Sequence, residues 1–82
     1  MSRLEIKNFP ELDPAAIGAR LKELRTGADI SIRKLERDMD ITWATLAAWE
    51  NGERPPSTFG LARYSEYFGV TTDYILFGNK KA

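Results

Sequence analysis

Cysteine and histidine are both absent from this 82-residue chain. Without cysteine, neither a disulfide framework nor a thiolate metal site can form. Without histidine, the most common general base and the most common zinc ligand are missing. The serines therefore lack an adjacent base that could activate a nucleophile, and helix capping explains them. We expect a protein that is not an enzyme and that uses neither a metal ion nor a cofactor.

Long apolar runs are also missing. No stretch approaches the roughly 20 apolar residues that would span a membrane, and residues 1–10 lack the apolar core of a secretory signal. With 43% hydrophobic and 29% charged residues, the composition is that of an ordinary folded domain with one modest core. We expect a single cytoplasmic, nucleoid-associated domain with no membrane partner and no small-molecule ligand.

The chain has no net charge, because 12 basic and 12 acidic residues cancel. A strong non-specific nucleic-acid binder is usually basic overall, so this balance counts against that class. A local basic face remains compatible with it. Residues 20–37 contain six basic and three acidic residues, which gives this stretch a net charge of +3.

Helix start and stop signals predict five short helices in residues 14–78. The predicted N-caps are Asp13, Ser31, Thr42, Ser57 and Thr71, and the predicted stops are Gly27, the turn at 38–40, Gly52 and Gly69. Residues 1–13 form an N-terminal arm and residues 79–82 a frayed tail. The alternating Leu4 and Ile6 suit a short strand that pairs with a second copy of the chain, and a loose terminus is the alternative.

The third helix, residues 42–51, combines a buried face with small residues on its other sides. At about 100° per residue, Thr42, Trp49 and Glu50 fall within roughly 60° of Leu46 on the buried side. The opposite side carries Ala44, Ala48 and Asn51, the flanks carry Thr45 and Ala47, and Trp43 lies at the border. A buried carboxylate needs a partner, so we predict an ion pair between Glu50 and Arg25. An exposed, solvated Glu50 is the alternative.

The second and third helices have the layout of a helix-turn-helix, whose second helix enters the major groove of DNA. Four further segments add detail to this layout: IGARLKELR (17–25), IS (30–31), LAAWENGERPPS (46–57) and FGVTTDYILFG (68–78). Together they resemble the Cro/CI-type (XRE-like) helix-turn-helix family of phage and bacterial regulators. The resemblance implies an all-α, five-helix, lambda-repressor-like domain that binds a palindromic operator as a dimer.

The resemblance also implies which residues meet double-stranded DNA. Base contacts would come from Trp43, Ala44, Thr45, Ala47 and Ala48, and phosphate contacts from Thr42, Asn51 and Arg54. The family commonly has a phosphate-binding glutamine where this chain has Ile32, which has no hydrogen-bonding group. We expect the next two residues, Arg33 and Lys34, to replace that contact. Within the family, the residues that match Arg25 and Glu50 form an ion pair.

The alanines of this face have no donor or acceptor for a base edge. Alanine and tryptophan can pack against thymine methyl groups, and the shape and deformability of DNA can supply further specificity. For Trp43, the alternatives are partial burial or contact with another protein.

Two functions follow from these residues. The first is a transcriptional regulator that represses transcription and acts as a homodimer. The candidate dimer contacts are Leu4, Ile6, Tyr67, Tyr74 and Phe77, and core packing is the alternative for the three aromatic residues. The second is a protein-interaction module of the same fold, such as an antitoxin or an anti-repressor partner, which the zero net charge favours.

Overall fold

A computed structural model describes residues 11–79 of the chain. The fold consists of α1 (Pro14–Gly27), α2 (Ile32–Met39), α3 (Trp43–Glu50), α4 (Thr58–Phe68) and α5 (Thr72–Phe77). The predicted all-α, five-helix class is therefore confirmed. Leu4 and Ile6 lie outside the described residues, as does the predicted strand around them. Across residues 11–79, no helix is both long and apolar enough to cross a membrane.

The helices begin where short polar side chains can bind the free N–H groups of a first turn. Such bonds are made by the side chains of Asp13, Ser31, Ser57 and Thr71. Thr42 occupies the N-cap of α3 without making this bond, since its hydroxyl lies 3.0 Å from that of Thr45. Among the five helices of residues 11–79, only α3 makes no hydrogen bond with the side chain of its N-cap residue.

The ends of the helices follow the predicted stops with one shift. Asp40 and Gly69 take the left-handed conformation directly after α2 and α4, and Gly52 has a φ of 74° just after α3. Gly27, by contrast, is still helical, and the left-handed residue after α1 is Asp29 with a φ of 59°. Aspartate tolerates this conformation better than most residues, so the chain turns at Asp29 instead of at Gly27. As a result, α1 extends slightly beyond its predicted end near residue 26.

All five helices contribute side chains to the core. Its fully buried side chains are Ile17, Leu21, Leu35, Leu46, Tyr64 and Ile75. Burying a large aliphatic side chain stabilises a fold by about 1.5–3 kcal/mol. Two glycines allow the close approach of the helices: a Cβ on Gly18 would meet the carbonyl oxygens of Trp49 and Glu50, and one on Gly60 would collide with the indole of Trp49.

Two arginines join elements that are distant in sequence. Arg20 of α1 donates from Nε to the carbonyl of Ile75 at 2.8 Å and from Nη2 to that of Leu76 at 3.0 Å. Arg63 of α4 donates from Nη1 to the carbonyl of Met39 at 2.8 Å. Both satisfy carbonyls in the last turn of a helix, where no intrahelical partner is available. They hold the C-terminal ends of α5 and α2 in place.

Replacing Tyr64 with phenylalanine should leave the free energy of unfolding unchanged or raise it by about 1 kcal/mol. The hydroxyl of Tyr64 is buried without a hydrogen-bond partner among the described residues, and burying an unpaired hydroxyl is costly. Burial also raises the pKa of this phenol, and the Glu50 carboxylate contributes to the shift. Urea denaturation of the two proteins measures the difference. A loss of more than about 1 kcal/mol would show that the hydroxyl makes a stabilising bond.

Candidate nucleic-acid interface

The turn between α2 and α3 determines how the two helices meet. Asp40 has a φ of 58° and a ψ of 45°, the left-handed conformation, and its N–H donates to the carbonyl of Glu36 at 2.9 Å. Glycine adopts this conformation most readily, and aspartate tolerates it better than most other residues. This sharp turn places the N-terminus of α3 beside the middle of α2.

The N-terminal half of α3 is the part of this helix that faces solvent. Trp43 is 43% exposed, Ala44 is exposed, and Thr45 and Ala47 are half-buried. On the core side, Leu46 and Trp49 are buried as predicted. The exposed surface of α3 thus consists of one indole ring and small side chains, and it lies at the end of the helix that reads bases in helix-turn-helix proteins.

Two predictions for the faces of α3 are wrong. Ala48, predicted as a base contact on the exposed side, is only 9% exposed. The chain folds back after α3 so that the N–H of Glu53 donates to the carbonyl of Ala48 at 2.9 Å, and a helical wheel takes no account of such a turn. Thr42, predicted on the buried side, is exposed. As the N-cap it has a ψ of 146°, outside the helical conformation, so the 100° step does not apply to it.

The predicted ion pair between Arg25 and Glu50 is present. Nε of Arg25 donates to Oε2 of Glu50 at 2.7 Å, and Nη2 donates to Oε1 at 3.0 Å. The side chains are 14% and 4% exposed, respectively. Nη1 of Arg25 also donates to the carbonyl of Ile30 at 3.0 Å. The hydrogen bond to Glu50, together with its charge, raises the pKa of Arg25 against the opposing effect of burial. The bidentate pair fixes α3 on α1 and orients the candidate DNA-binding face.

The cations of α2 point in different directions. Lys34 Nζ binds Oδ2 of Asp38 at 2.8 Å, and the hydroxyl of Tyr67 on α4 donates to the same oxygen at 2.5 Å. The bond from Lys34, followed by that from Tyr67, lowers the pKa of Asp38. The amine of Lys34 is therefore held on the side of α2 that faces α4. A phosphate contact by Lys34 would require the amine to exchange this partner.

Arg33 instead lies beside the exposed end of α3. Its Cζ atom is 5.0 Å from the centre of the Trp43 ring, within the range of a cation–π contact. Glu36 lies between these two residues. One of its oxygens accepts from Arg33 Nη1 at 3.5 Å, and the other accepts from the backbone N–H of Trp43 at 3.0 Å. Glu36 thus supplies the cap that the hydroxyl of Thr42 does not provide.

The remaining predicted phosphate contacts lie at the other end of α3. Asn51 and Arg54 are exposed in the segment after this helix. Arg54, and likewise Arg37 on α2, makes no hydrogen bond or ion pair within residues 11–79. Both cations are therefore available to an anionic partner. Sequence reasoning did not single out Arg37 or the cap from Glu36, because neither follows from a local motif.

The candidate dimer contacts separate by burial. Tyr74 is buried in the core, so for this residue the core-packing alternative applies. Tyr67 is half-buried, with its ring 4.8 Å from that of Phe68. Phe77 is exposed. A more exposed aromatic residue, Phe59, was not predicted, and it lies in a groove between α4 and the end of α2.

No group of three or more acidic side chains in the described part of the chain is arranged to hold a metal ion. The chemistry that the exposed residues around α3 offer is recognition. They combine cations for phosphate groups, small apolar groups for thymine methyls, and an indole that can pack or stack.

Comparison with known proteins agrees with this geometry. Residues 18–81 match the helix-turn-helix domain family. The chain is 30% identical over 61 residues to the HTH-type transcriptional activator BcrR of Enterococcus faecalis, a match that covers 74% of the chain. The chain spans only 30% of the length of BcrR.

Two solved structures have a similar fold. The S. venezulae BldD DNA-binding domain aligns with a TM-score of 0.67 at 23% identity, covering 78% of this chain and 96% of that domain. A crystal structure of the DNA-binding domain of BldD aligns with a TM-score of 0.65 at 24% identity, covering 78% and 93%, respectively. At this level of identity, the similarity concerns the fold.

The fold and the family match define a small helix-turn-helix domain, in which the helix expected to enter the major groove is α3. This helix is exposed at its N-terminal end. The chain belongs to the helix-turn-helix family, and the resemblance to Cro/CI-type (XRE-like) regulators predicted from the sequence is confirmed.

Proposed function

We propose that this protein is a DNA-binding transcriptional regulator that inserts the N-terminal half of α3 into the major groove. The observation that carries the proposal is the exposed end of α3, where Trp43 and Ala44 are uncovered beside Arg33. In helix-turn-helix proteins, the N-terminal residues of the second helix contact base edges. Membership of the family supports the same function.

The proposed contacts fall into two groups. Trp43, Ala44, Thr45 and Ala47 face the bases, where their apolar groups pack against thymine methyls. Thr42, Asn51 and Arg54 approach the phosphates, and Lys34 does so by exchanging its partner Asp38. Ala48 is omitted from the first group because it is buried. With few polar groups on the base-facing side, a large part of the specificity comes from DNA shape and deformability.

The regulator acts as a homodimer that represses transcription by occupying a palindromic operator. Two copies related by a two-fold axis would place their third helices in successive major grooves, about 34 Å apart. The exposed Phe77 and the half-buried Tyr67 are the dimer contacts that the described residues offer.

A protein-interaction module is the second candidate function, and a specific observation favours it. Phe59 is 74% exposed and lines a groove with Met39 and Tyr67. The charged residues that also line this groove are Asp38, Asp40, Arg63 and Glu66. Exposed apolar groups next to charged residues are typical of protein interfaces. This function also agrees with the zero net charge of the chain.

A salt titration distinguishes the two functions. For a DNA-binding regulator, the logarithm of the association constant with duplex DNA should fall linearly with the logarithm of salt concentration, because phosphate binding releases counterions. Fluorescence anisotropy with a labelled duplex measures this slope. Absence of DNA binding by the folded protein, together with a salt-tolerant stoichiometric protein complex, would favour the second function.

Replacing Arg54 with alanine should weaken binding to all duplexes alike and lower the salt slope by about one. Arg54 is an exposed cation with no partner among the described residues, as expected of a phosphate contact. The same titration with Arg54→Lys is the control, and it should retain the slope because the charge is kept. A loss confined to certain sequences would contradict the phosphate role.

A further inference from the structure

We propose that Arg33, Glu36 and Trp43 form one base-reading unit, in which the Arg33 guanidinium reads a guanine in each operator half-site. The inference rests on the proposed DNA-binding function and extends it to the identity of a base. Its starting point is that Ala44 and Ala47 have no hydrogen-bonding groups for a base edge. Thr45 and Trp43 each carry one hydrogen-bonding group on this face, and the hydroxyl of Thr45 is bonded to that of Thr42, so a bidentate base contact has to come from a neighbouring element.

Glu36 is the residue that holds the unit together. Its carboxylate joins α2 to the first residue of α3 through the 3.0 Å bond from the N–H of Trp43. The negative charge lies at the positive end of the α3 dipole, where it is stabilising. The second oxygen of the same carboxylate accepts from Arg33 Nη1 at 3.5 Å. Glu36 is a positioning residue: it binds the backbone N–H of Trp43 and the guanidinium of Arg33.

The contact between Arg33 and Trp43 restricts the guanidinium further. Its Cζ atom lies 5.0 Å from the centre of the indole, so the cation is held by the ring on one side and by the carboxylate on another. A side chain restrained in this way loses less conformational entropy when it binds than a free arginine does. The guanidinium therefore has a restrained orientation before it binds DNA.

The unit is also accessible. The side chain of Arg33 is 63% exposed, and Trp43 is exposed at the N-terminal end of the recognition helix. Glu36 occupies one N–H group of Arg33, whereas a guanidinium has five such donors in a fixed plane. Two parallel donors match O6 and N7 of guanine, the most common specific contact in the major groove.

Phosphate contact is the role that the sequence predicts for Arg33, and Arg37 provides the comparison. Both arginines are exposed on α2, but Arg37 has no hydrogen bond or ion pair among the described residues. A cation that serves only to attract phosphate needs no fixed orientation, because the phosphate backbone carries no sequence information. The restraint on Arg33 by Glu36 and Trp43 is what favours base reading.

The test compares Arg33→Ala with Arg37→Ala, which each remove one positive charge from α2. Preferred sequences of wild type and both variants are determined by selection from random duplexes, and circular dichroism melting confirms that each protein is folded. Wild type should select a guanine at one position of each half-site. Arg33→Ala should reduce that preference about tenfold to a hundredfold, while Arg37→Ala should lower affinity and leave the preference intact.

Glu36→Gln tests whether Glu36 positions Arg33, without removing the cap that stabilises α3. Glutamine keeps an acceptor for the N–H of Trp43 but loses the charge that attracts Arg33. The variant should weaken the preference at the same guanine position and nowhere else. If Arg33→Ala and Arg37→Ala weaken all sequences alike, Arg33 contacts phosphate and the inference is overturned. If the folded wild-type protein selects no sequence at all, both the proposed function and this inference fail.

Discussion

Replacing Glu50 with alanine should lower the free energy of unfolding by about 3–5 kcal/mol. The change leaves the guanidinium of Arg25, which is only 14% exposed, without its bidentate partner. A domain of this size has a total stability of about 5–12 kcal/mol, so the loss is a large fraction of the whole. Chemical denaturation followed by circular dichroism measures it.

Glu53 provides the matched control for Glu50. It is an exposed glutamate just beyond α3, and its side chain makes no ion pair within residues 11–79. Glu53→Ala should therefore change stability by less than about 0.5 kcal/mol. Replacing both Arg25 and Glu50 with apolar residues of similar volume should destabilise less than Glu50→Ala alone, because no buried charge is left unpaired. Equal small effects of Glu50→Ala and Glu53→Ala would contradict a buried ion pair.

Replacing Gly18 with alanine should destabilise the fold by about 1–3 kcal/mol or more. A Cβ at this position would lie too close to the backbone carbonyls of Trp49 and Glu50. Backbone atoms cannot turn aside as a flexible side chain can, so α1 and α3 would have to separate. Since α3 carries the candidate DNA-binding face, the variant should also lose affinity for DNA.

Gly27→Ala in the same helix is the control for Gly18→Ala. Nothing lies within 4 Å of a Cβ built on Gly27, and Gly27 is helical. Alanine reduces the entropy of the unfolded chain, so this change should stabilise the protein by about 0.4–1 kcal/mol. Thermal melting of the two variants shows directly whether each substitution stabilises or destabilises the protein. Stabilisation by both substitutions would show that α1 and α3 are not in close contact at Gly18.

The sequence was most informative where structure depends on neighbouring residues. A serine or threonine cap binds an N–H group two or three residues later, so Ser31, Ser57 and Thr71 could be identified from their positions alone. The pairing of Arg25 with Glu50 could be predicted as well, because a glutamate at a buried helical position requires a partner. Helical spacing was enough to indicate that position.

Features that depend on tertiary approach were not predicted. Nothing in the spacing of α1 indicates that Gly18 faces a carbonyl of α3, or that Arg63 of α4 reaches the end of α2. Ala48 was assigned to the exposed face although it is buried, because a helical wheel does not include the turn in which the N–H of Glu53 binds the carbonyl of Ala48. The role of Glu36 as a cap for α3 was not predicted either, because it requires knowing how the two helices cross.

Selection of fragmented genomic DNA from the source organism with the purified protein, at moderate salt and followed by sequencing, tests the central claim most directly. If the exposed end of α3 reads DNA in a dimer, a few fragments should be enriched, each with an inverted repeat whose half-sites lie about one helical turn apart. Uniform recovery of fragments by the folded protein would contradict sequence-specific binding and favour a protein partner.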